Sequence, residues 1–223
     1  MIPIRDTIPS KRFPFVTILL IVANALVFIF ELSLGERLGN FIAVFGMSPA
    51  QVRIDAAQQS YFWVIVPFFT SVFLHGGWLH LLGNMLYLWI FGDNVEDKMG
   101  HGRFAFFYIL CGLAGSALQF SMNSSSTIPT IGASGAIAGV LGSYFLLFPK
   151  SKVVTLVPIF FFFTFIEIPA FLFLGFWFLM QFFYGTLALD GQTSADVGDV
   201  AWWAHVGGFA SGVILVFPFR KYN

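Results

Sequence analysis

Six apolar segments limit what this chain can fold into. They fall at about 14–33, 68–92, 104–123, 133–148, 168–189 and 200–219, each flanked by charged or turn-rich residues. A helix needs ~20 apolar residues to cross the ~30 Å hydrocarbon core of a bilayer, and in lipid only helices and closed barrels can pair their backbone groups internally. The pattern predicts an all-α membrane protein, a six-transmembrane-helix bundle, built as one membrane domain over residues 1–223. With 58% hydrophobic and 10% charged residues, the chain has too little polar surface for a water-soluble globule of its size. The run from Phe13 to Leu34 is longer than a signal-peptide core and reads as a retained first helix.

Six spans put both termini on one side. Placing the N-terminus in the cytoplasm puts Arg5, Lys11, Arg12, Lys98, Arg103, Lys150, Lys152, Arg220 and Lys221 there too, and leaves only Arg37 and Arg53 of the eleven basic residues outside. This is the positive-inside pattern. The first outer loop, 34–66, mixes apolar residues with Gly, Pro and charge and is expected to lie in or on the interface. The apolar stretch 153–163 carries Pro158 and is followed by Glu167 and Pro169, so it reads as a separate inner-side piece rather than part of the fifth helix. A net charge of zero and the lack of any Lys/Arg run give no footprint for nucleic acid. Cys111, the single cysteine, cannot form an intramolecular disulfide and reads as a packing residue.

Helical rise then sets the depth of the polar residues. At 1.5 Å per residue, Ser134 lies ~24 Å above Lys150, His205 ~22 Å above Arg220, His80 ~20 Å above Asp93 and Asn84 ~14 Å above it. Ser134, His205 and His80 therefore share one layer below the outer surface, with Asn84 a turn deeper. Polar groups at such depth are costly, and four on three helices suggest a common site. The segment 133–148 is too short to cross the whole core, and the polar stretch Asn123–Thr130 before it is not expected to be helical. Such backbone is tolerated beside a wet cavity. A helix beginning near Ser134 would also turn free N–H groups and a positive dipole end toward the hydroxyl.

His205, Gly208 and Gly212 share one helix face, and Ser134, Ala138 and Gly142 another, so small residues would let the two helices approach. Taken singly, Ser134 reads as a packing residue and His80 and Asn84 as helix-helix hydrogen-bonding groups; the shared layer is what favours chemistry. His75 lies off the face of His80 and His101 falls in a loop, so both read as structural or solvated. Glu31 and Glu167 read as interfacial. No His-Glu-x-x-His is present for zinc, no pair of intramembrane carboxylates for aspartyl chemistry, and Gly132-Ala133-Ser134-Gly135-Ala136 is not the soluble-hydrolase elbow.

The stretches His75-Gly76-Gly77-Trp78-Leu79-His80-Leu81-Leu82-Gly83-Asn84, Gly132-Ala133-Ser134-Gly135 and Ala204-His205-Val206-Gly207-Gly208 through Gly212 resemble the rhomboid family of intramembrane serine proteases. The resemblance covers essentially the whole chain. It implies a Ser134/His205 dyad, an oxyanion site of His80, Asn84 and the Ser134 amide, no cofactor and no metal. It also implies transmembrane protein substrates within a lipid bilayer, entering beside the fifth helix around Phe171 to Phe183. Some members carry a tyrosine one turn after the nucleophile to support the histidine, where this chain has Ala138, and the Trp-Arg motif of the first outer loop is absent. The expected location is the plasma membrane of a prokaryote; the oligomeric state is not legible. Two competing readings are a noncatalytic rhomboid-like escort, although such relatives usually lack the serine or histidine, and a small-solute transporter, for which neither paired broken helices nor a repeat is visible.

Overall fold

A computed structural model describes residues 2–159, 162–189 and 200–221. Four helices in it are long and apolar enough to cross a membrane: α1 (Phe15–Ser33), α6 (His101–Met122), α8 (Ala170–Leu189) and α9 (Trp202–Phe219). A fifth candidate is a bent pair in which α4 (Tyr61–Thr70) and a 3-10 turn at Ser71–Phe73 meet α5 (Trp78–Met99) at 80°. Between α6 and α8, α7 (Ser134–Leu147) has 14 residues, a length of ~21 Å.

The second span is therefore not the single helix expected over 68–92. The chain breaks at Leu74, which is extended, and at Gly76-Gly77, which have no side chains to pack and each cost ~1 kcal/mol in a helix. The helix that carries His80 and Asn84 starts at Trp78 and runs past 92 to Met99. Gly100, with φ +81, makes the turn into α6.

The protein is mostly helical, as expected, but a small sheet is added to the helices. β1 (Ile2–Asp6), β2 (Lys152–Ile159) and β3 (Phe162–Pro169) form an antiparallel sheet in the order β1-β2-β3. Thr155 pairs with both Pro3 and Ile166, and Val153 with both Asp6 and Ile168. The piece expected at 153–163 is thus most of β2 and the start of β3, apart from residues 160–161, which lie outside the described residues. Its β-branched and aromatic residues suit a pleated surface, and Pro158 disfavours a helix.

Two side-chain links hold the end of the bundle to which the N-terminal strand belongs. The Glu96 carboxylate accepts the backbone N–H groups of Val16 at 2.9 Å and Thr17 at 2.8 Å and the Thr17 hydroxyl at 2.7 Å, capping α1 from α5. Asp6 accepts from Asn94 Nδ2 at 2.8 Å and from the Tyr144 hydroxyl, which anchors β1.

The segment expected to be the first outer loop is folded into a 3-10 turn at Gly35–Arg37, α2 (Leu38–Phe45) and α3 (Pro49–Ala57), the last capped by Ser48. A chain of edge-on and tilted ring contacts runs from Phe30 of α1 through Phe41 and Phe45 to Trp63, with successive centroids 5.5, 4.7 and 6.3 Å apart. Reciprocal backbone bonds between Met47 and Thr130, at 3.0 and 2.9 Å, tie this segment to the one that leads into α7.

α7 is buried along most of its length between α5, α6 and α9. Its contact with α9 is backbone against backbone. A Cβ on Gly208 would lie 1.9 Å from the Gly135 carbonyl oxygen, one on Gly212 2.0 Å from that of Gly139, and one on Gly142 2.2 Å from that of Phe209. Small residues do set this approach, with Gly135 and Gly139 as the closest points on α7.

Candidate active site

Gly132 brings the chain into the site. Its φ of +123 is open to glycine but strained for other residues, and its N–H donates to the Ser71 carbonyl at 2.8 Å. A side chain here would meet His80 Nε2 at 2.6 Å and Asn84 Nδ2 at 3.5 Å. Two residues later Ser134 opens α7, as the sequence predicts. The first amides of a helix have no acceptor within it, so the positive end of α7 faces the Ser134 side chain.

His205 projects from the first turns of α9. Its Nε2 is 2.8 Å from Ser134 Oγ, and its Nδ1 is 2.8 Å from Gln181 Oε1 on α8. The Gln181 amide nitrogen donates to the Trp177 carbonyl at 3.2 Å, so the oxygen is the end that faces the imidazole. An amide oxygen can only accept. The proton of neutral His205 therefore sits on Nδ1, and Nε2 is left to accept from the serine hydroxyl. The rings of Trp177 and Trp202 flank the imidazole at 5.8 and 6.3 Å.

Across the cavity, His80 Nδ1 accepts the Gly76 N–H at 3.4 Å, which leaves its Nε2 to carry the proton toward Gly132. Asn84 Nδ2 lies 3.0 Å from His75 Nε2, and His75 Nδ1 lies 3.3 Å from the Phe73 carbonyl. The carbonyl can only accept, so Nδ1 donates to it, and Asn84 spends one amide hydrogen on His75 and keeps another. The His75 backbone N–H in turn donates to the Glu31 carboxylate at 3.2 and 3.3 Å.

Ser134, His205, His80 and Asn84 all line one cavity of about 260 Å³ between α5 and α8. A neutral imidazole that accepts from a serine hydroxyl, beside a helix N-terminus and two side-chain donors, is an arrangement suited to nucleophilic acyl transfer. Among the described residues, no group of three or more His, Cys, Asp or Glu side chains is placed to hold a metal ion.

The Rhomboid domain family model matches residues 59–222. The chain belongs to the rhomboid family. It is 35% identical over 116 residues to rhomboid protease GluP of Bacillus subtilis, covering 52% of this chain and 21% of that protein. It is 32% identical over 130 residues to the mitochondrial rhomboid protein 1 of Saccharomyces cerevisiae (54% and 38%), and 39% identical over 74 residues to RHOMBOID-like protein 5 of Arabidopsis thaliana (33% and 24%). The matched regions thus cover less than two fifths of these relatives.

In this rhomboid the support missing at Ala138 comes from another helix, through Gln181 and Trp177 of α8. Sequence reasoning missed Gln181, although a glutamine within a helix of apolar residues is itself a polar group at depth. It also set aside His75 and Glu31, which are 2% and 1% exposed and join α1 to the bend before α5. The off-face argument for His75 assumed one helix through 75 and 80. The bend removes that assumption and carries the imidazole back over Asn84.

Proposed function

We propose that the chain is an intramembrane serine endopeptidase that cuts membrane proteins in or near their transmembrane segments, with Ser134 as nucleophile and His205 as general base. The observation that carries this reading is the 2.8 Å contact between Ser134 Oγ and His205 Nε2, in a cavity whose other wall supplies His80 and Asn84. The rhomboid protease among the relatives supports the same class of reaction.

In the acylation step His205 Nε2 takes the hydroxyl proton as Oγ bonds the scissile carbonyl carbon. The carbonyl oxygen gains negative charge, for which His80 Nε2–H, the remaining Asn84 amide hydrogen and the Ser134 backbone N–H are the donors. The C–N bond then breaks, and His205 gives its proton to the departing amine. Water repeats the sequence on the acyl-serine ester, releasing the acid and restoring Ser134. No step draws on a cofactor.

The cavity lies between α5 and α8, and α8 exposes Phe176 and Leu179, so we place substrate entry between these helices. We read the domain as residues 1–223, six-spanning, with both termini cytoplasmic, in a prokaryotic plasma membrane. The deciding experiment uses the protein in proteoliposomes with a transmembrane substrate. Ser134→Ala should abolish both cleavage and labelling by a serine-directed fluorophosphonate while the protein stays folded. Cleavage retained by a mutant of equal purity would overturn the assignment.

A further inference from the structure

The β2–β3 hairpin has an unusual distribution of polarity. None of the fourteen residues from Val153 to Ile166 carries a charge. The register puts Val153, Thr155, Ile166 and Phe162 on one face of the sheet and Val154, Leu156, Glu167, Phe165 and Phe163 on the other. At the base, Val153 and Thr155 are buried on the first face, and on the second Lys152 and Glu167 pair at 2.8 Å. Toward the tip both faces become exposed and aromatic: Phe162 is 78% exposed on one, Phe163 73% and Phe165 65% on the other.

A sheet resting on a protein in water alternates apolar and polar across its two faces. Here the change runs along the strands, from an ion pair at the base to bare phenyl rings at the tip. An element that passes from water into an apolar medium has this pattern. β3 also ends at Pro169 and α8 begins at Ala170, with no residue between them. At its base the hairpin leads directly into a membrane-crossing helix whose Phe171 and Leu172 are exposed, which puts the occupant of that helix surface, lipid, next to the base of the hairpin.

We propose that the tip of the β2–β3 hairpin is a lipid-binding surface, seated at the boundary between headgroups and acyl chains where α8 enters the bilayer, with Phe162, Phe163 and Phe165 among the chains and the Lys152–Glu167 pair among the headgroups. Backbone pairing limits the depth: the sheet order leaves the outer edge of β3 unpaired among the described residues, and open sheet edges do not occur within the hydrocarbon region, so the strands stay at the boundary and only the phenyl side chains reach the acyl chains. The hairpin consequently lies tilted in the interface and does not cross it.

The test uses the full chain in nanodiscs of zwitterionic and anionic phospholipid. Cys111 is buried, so Phe163→Cys, Phe162→Cys and Lys152→Cys each offer one accessible thiol for an environment-sensitive nitrobenzoxadiazole label. Labels at 162 and 163 should be quenched several-fold more by acyl-chain nitroxide lipids than by aqueous iodide, and the label at 152 should show the reverse. Iodide quenching at 162 and 163 equal to that at 152, without lipid quenching, overturns the proposal. So does disulfide crosslinking between two Phe163→Cys chains without lipid quenching, which would give the surface to a second copy. The two phenylalanine positions lie on opposite faces, so one poorly folding variant leaves the other to decide.

Discussion

The side-chain oxygen of Gln181 lies 2.8 Å from Nδ1 of His205 and fixes which imidazole nitrogen is left for Ser134. The two residues stand on different helices. The orientation of this imidazole therefore depends on α8, the same helix that walls the cavity on the side where we place substrate entry.

Gln181→Met keeps the volume and removes the acceptor. kcat should fall about 10- to 100-fold with little change in KM, a part of the ~10²–10⁴ that a general base supplies. Gln181→Glu keeps an oxygen that can accept from Nδ1 and should recover part of the loss. A glutamine that only packs would leave kcat of Gln181→Met at the parent value.

The α7–α9 contact gives a stability prediction. A Cβ at Gly208 would overlap the Gly135 carbonyl oxygen at 1.9 Å, and backbone atoms cannot rotate away as a side chain would. Gly208→Ala should cost at least ~1–3 kcal/mol, as overpacking does, and should lengthen the Ser134–His205 contact. Gly102→Ala is the control, since its Cβ would meet nothing within 4 Å. Melting temperatures and cleavage rates in one detergent will test the pair. Equal behaviour of the two variants would show that α7 and α9 are not in backbone contact.

Most of the helices, and the shared depth that brings Ser134, His205, His80 and Asn84 to one cavity, were legible because bilayer thickness and helical rise are fixed lengths that turn sequence positions into depths. What escaped was long-range pairing. β1 joins β2 across about 150 positions, and nothing in Ile2–Asp6 announces a partner. The stretch 153–163 could be set apart from the fifth helix by Pro158 within it and Glu167 and Pro169 after it, yet a strand needs a neighbour that local sequence does not name. The bend at Gly76-Gly77 was hidden inside an apolar run, and with it the place of His75. Gln181 went unnoticed because no spacing rule links α8 to His205.

Asp6 gives a prediction outside the membrane. Burial pushes its carboxyl above the usual carboxylate range, against the opposing hydrogen bonds from Tyr144 and the Ile8 backbone. A carboxyl whose pKa is raised by folding contributes stability that is full below its unfolded pKa and is lost as pH rises through the folded value. Asp6→Asn keeps an oxygen to accept from Asn94 and Tyr144 and removes the charge. Its melting temperature should approach that of the parent near pH 4, about the ordinary carboxylate pKa, and exceed it increasingly as pH rises toward neutrality. If the parent gains on Asp6→Asn over the same range, the carboxylate bonds outweigh burial.

The final prediction concerns Asn84, to whose amide we assign a part in both the fold and the reaction. One of its hydrogens goes to His75 Nε2 at 3.0 Å, which sets the direction of the other. If that second hydrogen meets charge present only in the transition state, Asn84→Ala should lower kcat by about 10²-fold with KM little changed. A purely structural asparagine would give a lower melting temperature at constant kcat. His75 separates the two functions further. His75→Leu removes the acceptor and frees the Asn84 amide to rotate, so kcat should fall although residue 75 touches no substrate. His75→Gln retains an amide oxygen that can accept, and should recover part of the loss. The Glu31 bond is to the backbone N–H of residue 75 and survives both substitutions, so any stability it contributes is common to the two variants. Measuring kcat, KM and melting temperature for Asn84→Ala, His75→Leu and His75→Gln in one detergent therefore isolates the orientation of Asn84. If kcat is equal in the two His75 variants, His75 does not position Asn84 for the reaction.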